Sequence, residues 1–303
     1  MAVKAKQAAK GVDELVFLAL GGLGEIGMNC YLYGYGPPDQ RQWLMADLGI
    51  TFPEGEDDPG VDVILPDLRF IEAERGALQG LIITHAHEDH IGAVLELWPR
   101  LGCPVYATPF TAGMLNSKRN DYGGHRDMPV KVIPLDGSFK AGPFSIEMVS
   151  MAHSIPETSG LIISTPLGRL FHTADWKLDP TPYIGKKPDM TRLEKLGDEG
   201  LLALMCDSTN AMRDGRSPSE TEVAHSLVKV IKAAPKRVVV TTFSSNVARV
   251  KAVADAARAA GRRLVVAGRS LHRVIEVAIE TGYLPEDLQY YDQRQFKEID
   301  RGD

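Results

Sequence analysis

The spacing of apolar and polar residues predicts a first part of the chain that is rich in short strands. Before residue 207, short apolar runs with β-branched and aromatic residues predict strands at residues 15–20, 42–47, 61–65, 81–84, 144–149, 161–165 and 169–175. Apolar residues at helical spacing predict helices at residues 91–101 and 111–120. We therefore expect a sheet-rich first part with helices outside the strands.

After residue 207 the predicted helices and strands alternate. Helices are predicted at residues 219–234, 247–260 and 270–281, and strands at residues 237–243 and 263–267. This order is typical of a parallel sheet with helical crossovers, whose ligands collect at the carboxyl ends of the strands. The residues that begin the two following helices are candidate substrate contacts: Ser244, Ser245, Asn246, Arg249, Arg269 and Ser270. Ordinary N-capping explains the same residue types equally well.

A glycine-rich stretch follows the first predicted strand. Gly22, Gly24 and Gly27 match the G-x-G-x-x-G dinucleotide fingerprint, and Asp47 lies twenty residues past the last of them. That fingerprint requires a helix after its third glycine, whereas residues 28–36 are aromatic and glycine-punctuated and end at two prolines. We therefore predict a β-hairpin here and no nucleotide-binding site.

The polar run after residues 81–84 is the clearest chemical signal in the chain. His85, His87, Asp89 and His90 lie where a strand is predicted to end and a helix to begin, and the chain has only eight histidines. In an extended segment His85 and His87 point the same way, while Asp89 and His90 face a second point. Such nitrogen and carboxylate donors suit two divalent ions such as Zn²⁺ or Mn²⁺. A solvated turn is the alternative, but it does not explain the clustering.

Two further candidate ligands lie at the ends of distant predicted strands. His153 follows the strand at residues 144–149, and Asp175 ends the strand at residues 169–175. Ligands from distant segments converge at such positions. Alone, His153 would be an ordinary structural histidine, but beside the first cluster it is the third imidazole for one metal.

The composition is that of a soluble globular protein, with 44% hydrophobic and 24% charged residues among 303. No apolar run approaches the roughly 18 residues of a membrane span, and the lysine-containing start lacks a signal core, so we expect a cytoplasmic protein. Residues 1–12 are expected to form a disordered basic tail. Cys30, Cys103 and Cys206 have no disulfide or metal-site spacing and are expected to be buried.

The net charge of −6 is unevenly distributed. Residues 1–208 hold 18 Lys and Arg against 28 Asp and Glu, whereas residues 209–303 hold 16 against 12. A basic part beside an acidic, metal-binding part suits an anionic polymer as substrate. A solvated helix face is an equally good explanation of the basic residues taken alone.

Asp47, the H-x-H-x-D-H run at residues 85–90, His153 and Asp175 occur in the order of the metallo-β-lactamase ligand motifs. Further motif segments lie at residues 21–29, 153–157, 172–175, 206–210, 242–246 and 268–270. Together they resemble the bacterial ribonuclease J family, which are metal-dependent nucleases of the β-CASP group. The similarity covers essentially residues 13–300. It implies an α/β fold with a metallo-β-lactamase αββα sandwich at residues 13–208 and an incomplete β-CASP domain with a parallel sheet at residues 209–303.

The resemblance also implies a role for each matched residue. One ion would be held by His85, His87 and His153, and the other by Asp89 and His90. Asp175 would bridge the two ions, and Asp47 would support them through hydrogen bonds. Asp207 matches the first acidic position of the β-CASP group, which would orient a general-acid histidine, so the predicted catalytic carboxylates are Asp89, Asp175 and Asp207.

The chain departs from the family pattern in two places. Ala248 stands before Arg249 where a histidine is expected, which puts one substrate contact in doubt. No H-x-S-G-H segment occurs before residue 303, so a histidine ligand and phosphate contacts are missing from the predicted site. We therefore expect these residues to be the front part of a longer protein or one chain of a split one.

The function implied is a metal-dependent ribonuclease of rRNA processing and mRNA decay. It would degrade single-stranded RNA with a 5′ monophosphate in the 5′-to-3′ direction, with endonucleolytic cutting as a second activity. A homodimer or higher oligomer and RNA-decay protein partners are expected of the full-length protein. The alternatives are a DNA nuclease of the same group, a small-molecule hydrolase of the metallo-β-lactamase fold and a non-catalytic RNA-binding scaffold. The small-molecule hydrolase would not need the basic part, and the scaffold would not need six metal ligands.

Overall fold

Two β-sheets form the centre of the first part of the chain. The computed structural model describes residues 11–53, 60–122 and 127–300, so the predicted tail at residues 1–12 lies almost wholly outside the described residues. The strands of the first sheet lie in chain order: β1 (Glu14–Gly21), β2 (Cys30–Gly36), β3 (Gln42–Ala46), β4 (Leu78–Ile82), β5 (Val105–Ala107) and β6 (Val130–Val132). The pairing is antiparallel from β1 to β3 and parallel from β3 to β6.

The second sheet is mostly antiparallel. Its strands are β7 (Ser138–Ala141), β8 (Phe144–Ser150), β9 (Ser159–Thr165), β10 (Gly168–His172) and β11 (Ala203–Met205). Only β10 and β11 pair in parallel. A short parallel pair follows in the second part of the chain, between β12 (Val265–Val266) and β13 (Tyr291–Asp292).

The helices lie along the chain between these strands. Their bounds are α1 (Arg69–Ala73), α2 (Glu88–Ile91), α3 (Val94–Leu101), α4 (Pro109–Tyr122), α5 (Met190–Glu199), α6 (Glu220–Ala233), α7 (Val247–Ala259) and α8 (Arg269–Glu280). The helix predicted at residues 91–101 therefore starts at Glu88 and is interrupted after Ile91. None of the helices in the described residues is long and apolar enough to cross a lipid bilayer.

Strand alternation produces the layered αββα core. In β3, Leu44 packs in the cluster between the two sheets, whereas Trp43 and Met45 pack on the outer side with the helices. Successive side chains of a strand point to opposite faces, so a strand that is apolar at every position is covered on both sides. On the far face of the second sheet, Phe171 packs with Leu196 of α5. The predicted αββα sandwich is confirmed.

The glycine-rich stretch connects two antiparallel strands. Glu14 of β1 pairs with Gly36 of β2, and the register continues to Ala19 opposite Tyr31. The predicted β-hairpin is confirmed, and no helix follows Gly27 that could hold a pyrophosphate.

The prediction of a strand at residues 61–65 was wrong. Those residues make a single bridge, between Ile64 and Thr51, and Val63 is largely exposed. An apolar run becomes a strand when a neighbouring backbone edge meets it and its side chains are covered. In the described structure this segment has only the one bridge.

The strand predicted at residues 237–243 is also absent from the structure. These residues are described but have no strand pairing, and Val239 and Phe243 are almost fully exposed. The neighbouring strand predicted at residues 263–267 is reduced to β12. The parallel sheet of the second part is therefore limited, within the described residues, to β12 and β13.

The second part of the chain packs directly on the first. The largest apolar cluster joins Phe110 of α4 with Val247 of α7 and Ile275 of α8. Tyr183 donates a hydrogen bond to Asp255 of α7 at 2.8 Å. Cys30 and Cys103 are buried as predicted, but Cys206 is exposed because it follows β11, the edge strand of the second sheet.

Candidate metal centre

The predicted ligands meet at one edge of the two facing sheets. Asp47 follows β3, and His85 and His87 follow β4 in the parallel part of the first sheet. His153 follows β8, and Asp175 follows β10 in the second sheet. Residues distant in sequence come together here because the carboxyl ends of these strands lie at the same end of the sandwich.

One set of ligand atoms combines three imidazoles with a carboxylate. Nδ1 of His87 lies 3.1 Å from Nε2 of His85 and 3.1 Å from Nε2 of His153. Oδ2 of Asp175 lies 3.8 Å from Nε2 of His85 and 3.5 Å from Nε2 of His153. All four ligand atoms lie within 4.8 Å of one another, which is compatible with one shared ion.

A second set uses Asp89 and His90 at the start of α2. Nε2 of His90 lies 3.5 Å from Oδ2 of Asp89 and 3.3 Å from Oδ1 of Asp175. Asp175 therefore directs one carboxylate oxygen to each set. This arrangement allows one carboxylate to serve two neighbouring ions.

The chemistry of the donors fits divalent metal ions. Nδ1 of His87 has two imidazole nitrogens at 3.1 Å, and a neutral imidazole has only one donor and one acceptor, so hydrogen bonds alone explain this convergence poorly. Burial lowers the pKa of His85 and His87, which favours the neutral, metal-binding form. Burial opposes ionisation of Asp175, but the hydrogen bond and charge of His90 hold its pKa below its usual value. The His and Asp cluster can therefore hold divalent metals.

Asp47 supports the centre through hydrogen bonds and belongs to neither ligand set. Its side chain is fully buried and accepts hydrogen bonds from the backbone N–H and the hydroxyl of Thr84, both at 2.8 Å. Oδ2 of Asp47 also lies 2.8 Å from Nδ1 of His90. Burial disfavours the charged form of His90, but the carboxylates of Asp47 and Asp175 raise its pKa. Once the Nε2 proton is lost, the Nδ1–H donated to Asp47 leaves the Nε2 lone pair of His90 facing the second set.

Three residues near the ligands were not predicted as site residues. Nδ2 of Asn29 donates to Oδ2 of Asp89 at 3.2 Å, and Oγ of Ser154 lies 3.2 Å from Nε2 of His87. Thr84 Oγ1 lies 3.0 Å from Nδ1 of His85. Asn29 and Ser154 belong to the motif segments of the family resemblance, but only the fold shows what their side chains contact.

Asp207 lies near the centre but makes no hydrogen bond with any histidine that the structure describes. Its carboxylate accepts from the backbone N–H of Thr209 at 2.9 Å and from the Thr209 hydroxyl at 2.6 Å. Its own N–H donates to the Thr173 hydroxyl at 3.1 Å, two residues before Asp175. Trp176 Nε1 donates to the Asp207 carbonyl at 3.2 Å. The backbone of Asp207 is thus tied to the segment that carries Asp175.

The predicted substrate contacts divide into two groups. The start of α7 touches the metal loops, because the N–H of Ala248 donates to the carbonyl of Ser154 at 3.2 Å. Ser244 and Ser245 precede this helix, and Asn246 caps it by accepting from the Arg249 N–H at 2.9 Å. Ala248, which is buried, stands where a histidine is expected and makes this backbone contact.

Arg249, Arg269 and Ser270 are less closely connected to the centre. The guanidinium of Arg249 is paired with Glu220, Nη2 to Oε2 at 3.4 Å. Arg269 and Ser270 begin α8, which packs against α4 and α7. Their place at the start of a helix matches the prediction.

Comparison with known proteins agrees with this geometry. Residues 58–195 match the β-lactamase superfamily domain, and residues 235–302 match the β-CASP domain of ribonuclease J. Ribonuclease J of Sinorhizobium meliloti is 51% identical over 289 residues, which cover 95% of this chain and 51% of that protein. Ribonuclease J of Thermus thermophilus is 37% identical over 294 residues, which cover 95% of this chain and 50% of that protein.

A solved structure shows the same fold at low sequence identity. The crystal structure of a protein of unknown function from Enterococcus faecalis V583 has a TM-score of 0.62 and 18% identity. The match covers 93% of this chain and 70% of that one. The chain spans about half the length of the curated relatives it matches. Over the residues that it shares with them, this chain resembles the ribonuclease J family.

Proposed function

We propose that this protein is a metal-dependent ribonuclease that hydrolyses phosphodiester bonds of single-stranded RNA. The observation that carries the proposal is the shared carboxylate of Asp175, with one oxygen facing each of two ligand sets. The similarity to ribonuclease J over 95% of the chain supports RNA as the substrate. The basic part of the chain after residue 208 supports a polyanion.

Two divalent ions, Zn²⁺ or Mn²⁺, are proposed for the two sets. His85, His87 and His153 would hold one ion, Asp89 and His90 the other, and Asp175 both. When bound, such ions lower the pKa of a water molecule and neutralise the charge that develops on a phosphate. Imidazole and carboxylate donors together suit either metal.

The roles of the remaining residues follow from their contacts. Asp47 and Thr84 hold the imidazoles of His90 and His85 in their orientations. Asp207 is proposed to orient a protonated group that assists the leaving 3′ oxygen. Its backbone contact with Thr173 supports this role by tying it to the Asp175 segment. No side chain of the protein needs to act as a nucleophile.

The substrate path is proposed to run over the helix starts of the second part. Hydroxyls and free N–H groups at residues 244–246 and 268–270 are suited to phosphate oxygens, with Arg249 and Arg269 adding positive charge. The contact of Ala248 with Ser154 supports a path that leads to the metal loops. The boundary between the metallo-β-lactamase and β-CASP domains is proposed to lie at residue 208.

The proposed direction of cleavage is 5′ to 3′ on RNA with a 5′ monophosphate, with internal cutting as a second activity. In the cell the protein would act in rRNA processing and mRNA decay in the cytoplasm, as a homodimer or higher oligomer with RNA-decay partners. These proposals rest on the resemblance to the ribonuclease J family.

Matched single-stranded RNA and DNA, labelled at either end, test the substrate and the direction. We expect full-length protein to release label from 5′-monophosphorylated RNA at the 5′ end and to leave the DNA largely intact. An Asp175→Ala preparation made in the same way controls for contaminating nucleases. Equal or faster degradation of DNA would make the protein a DNA nuclease of the same group, and release from the 3′ end alone would reject the direction.

A further inference from the structure

Glu157 ends the loop that carries His153, and it is not one of the candidate ligands. Its side chain is buried and its two carboxylate oxygens have different partners. Oε2 accepts from the backbone N–H of Phe110 at 2.7 Å, in the first turn of α4. Oε1 accepts from the hydroxyl of Tyr283 at 2.9 Å, just after α8. One carboxylate thus connects the metal loop, the first part of the chain and the second part.

The loop between β8 and β9 is short and closed at its base. The N–H of Met151 donates to the carbonyl of Thr158 at 2.8 Å, so the residues between them form a compact turn. His153 and Ser154 extend from this turn to the two ends of the His87 ring. A shift of the turn would therefore move one candidate ligand and the hydroxyl that contacts another.

Local preference does not explain the shape of this turn. Glu157 has φ of +62°, in the left-handed region that glutamate rarely adopts. Such a conformation persists when surrounding contacts impose it. The bonds to Phe110 and Tyr283 are contacts of this kind, because they hold the side chain of Glu157 from two sides.

The second part of the chain reaches the same loop at two points. Tyr283 contacts Glu157 through its hydroxyl, and its ring packs edge-on to Phe110 with ring centroids 6.0 Å apart. Ala248 at the start of α7 donates its N–H to the Ser154 carbonyl. The start of α7 and the segment after α8 therefore both contact the loop that carries His153 and Ser154.

We propose that Glu157 is a positioning residue for the metal centre, and that Tyr283 is the group through which the second part of the chain acts on it. Together they hold His153 and Ser154 in the geometry that the first ligand set requires. This inference rests on the metal-dependent function proposed above. Its test measures metal binding and not RNA cleavage.

Tyr283→Phe is the most selective test, because it removes one hydroxyl and keeps the ring contact with Phe110. A matched control is Tyr183→Phe, which removes another tyrosine-to-carboxylate bond between the two parts of the chain, to Asp255 at 2.8 Å. Both variants lose one hydrogen bond of the same kind. Only Tyr283 is connected to the loop that carries His153.

The affinity for Zn²⁺ is measured by chelator competition, and the visible absorption of Co²⁺-loaded protein reports the ligand geometry. We expect Tyr283→Phe to weaken Zn²⁺ binding about tenfold and to alter the Co²⁺ spectrum, since partners that orient ligands contribute on this scale. In metal-free protein, Tyr183→Phe should shift the urea midpoint about as much as Tyr283→Phe does. It should leave the Zn²⁺ affinity and the Co²⁺ spectrum unchanged. Equal metal affinities in the two variants would overturn the proposal.

Glu157→Gln adds a conservative comparison. Glutamine can accept from the Phe110 N–H and still bond to Tyr283, so we expect it to retain most of the metal affinity and the Co²⁺ spectrum. A decrease as large as that of Glu157→Ala would show that charge and not position is important, and would contradict the proposal. Protein that binds Zn²⁺ as expected but cleaves no RNA would refute the proposed function and leave this inference standing.

Discussion

Oδ2 of Asp47 lies 2.8 Å from Nδ1 of His90, although 43 residues separate them along the chain. The same carboxylate accepts both polar hydrogens of Thr84 and has lone pairs left to accept the Nδ1–H of His90. This pair determines which nitrogen of His90 is free to face Asp89 and Asp175. The metal centre therefore depends on a buried residue that makes no contact with a metal in the proposed arrangement.

Asp47→Asn is expected to weaken binding of the second ion by roughly 10–100-fold. If the new amide keeps its oxygen toward the Thr84 N–H, its NH₂ group faces Nδ1 of His90. Nδ1 must then accept a hydrogen bond, so the ring hydrogen of His90 moves to Nε2. That hydrogen would point at the second set. Metal titration of apo-protein measures the effect, with the surface variant Asp67→Asn as the control. Unchanged affinity for both ions would contradict the role assigned to Asp47.

Asp89→Ala is expected to reduce the number of tightly held ions from two to one. The remaining partners of the second set would be His90 and Asp175, which is too few ligands for a stable site. Elemental analysis of full-length protein after dialysis gives the count. A wild-type protein that holds no more than one ion, with no change in the variant, would rule out two sites.

Gly49→Ala is expected to destabilise the protein by at least about 2 kcal/mol. A Cβ at this position would overlap the backbone carbonyl of Asp89, so the segment after β3 and the metal loop would have to separate. Urea unfolding measures the effect. Gly197→Ala in α5 is the control, because a Cβ at this position meets nothing within 4 Å. This substitution should raise the free energy of unfolding by roughly 0.5–1 kcal/mol. Similar stabilities of the two variants would show that the loop moves freely.

Acidification is expected to destabilise the fold in part through His172. Burial lowers the pKa of His172 to about 4, and its Nδ1 lies 2.9 Å from the hydroxyl of Tyr33. Between its usual pKa of 6.5 and this value, the unfolded chain binds more protons at this position than the folded chain does. Stability is therefore complete above pH 6.5 and falls as the pH drops, by up to about 1.4 kcal/mol per pH unit.

His172→Gln should reduce this pH dependence. Unfolding free energies of wild type and variant are compared from pH 7 to pH 5 in the presence of a chelator, so that bound metal does not contribute. Histidines that do not interact with His172 contribute equally to both proteins and cancel in the difference. Parallel curves would show that His172 is not protonated differently in the folded and unfolded states.

Asp175→Ala and His85→Ala are expected to abolish RNA cleavage and to leave RNA affinity largely intact. Arg249→Gln combined with Arg269→Gln should show the opposite, with weaker RNA binding and a full complement of metal. The slope of log K against log salt concentration should fall by about 0.7 for each phosphate that an arginine no longer neutralises. Binding isotherms at several salt concentrations measure this division. If the metal-site variants lost as much RNA affinity as the arginine variants at matched ionic strength, binding would reside mainly in the metal centre.

The spacing of residues along the chain predicted the first part of the candidate metal centre, to which His153 and Asp175 were added from the ends of distant predicted strands. His85, His87, Asp89 and His90 are adjacent in sequence, and a strand followed by a helix places them at one edge with little help from the rest of the fold. The hairpin at residues 14–36 was equally predictable, because glycines, aromatics and prolines define its strands and turns locally. The αββα layer order was implied only by the family resemblance, and the structure shows it in the alternate packing of side chains in strands such as β3.

Other features depended on contacts that no local pattern contains. Val239 and Phe243 belong to an apolar run that is typical of a strand, yet the described structure has no backbone edge to pair with it. Thr84 was predicted only as the end of a strand, and its partner Asp47 lies 37 residues away. The bond from Tyr283 to Glu157 spans 126 residues. The order of residue types along the chain thus determined the candidate ligands. Folding in three dimensions determined which side chains orient them, because hydrogen-bond partners are selected by proximity in space.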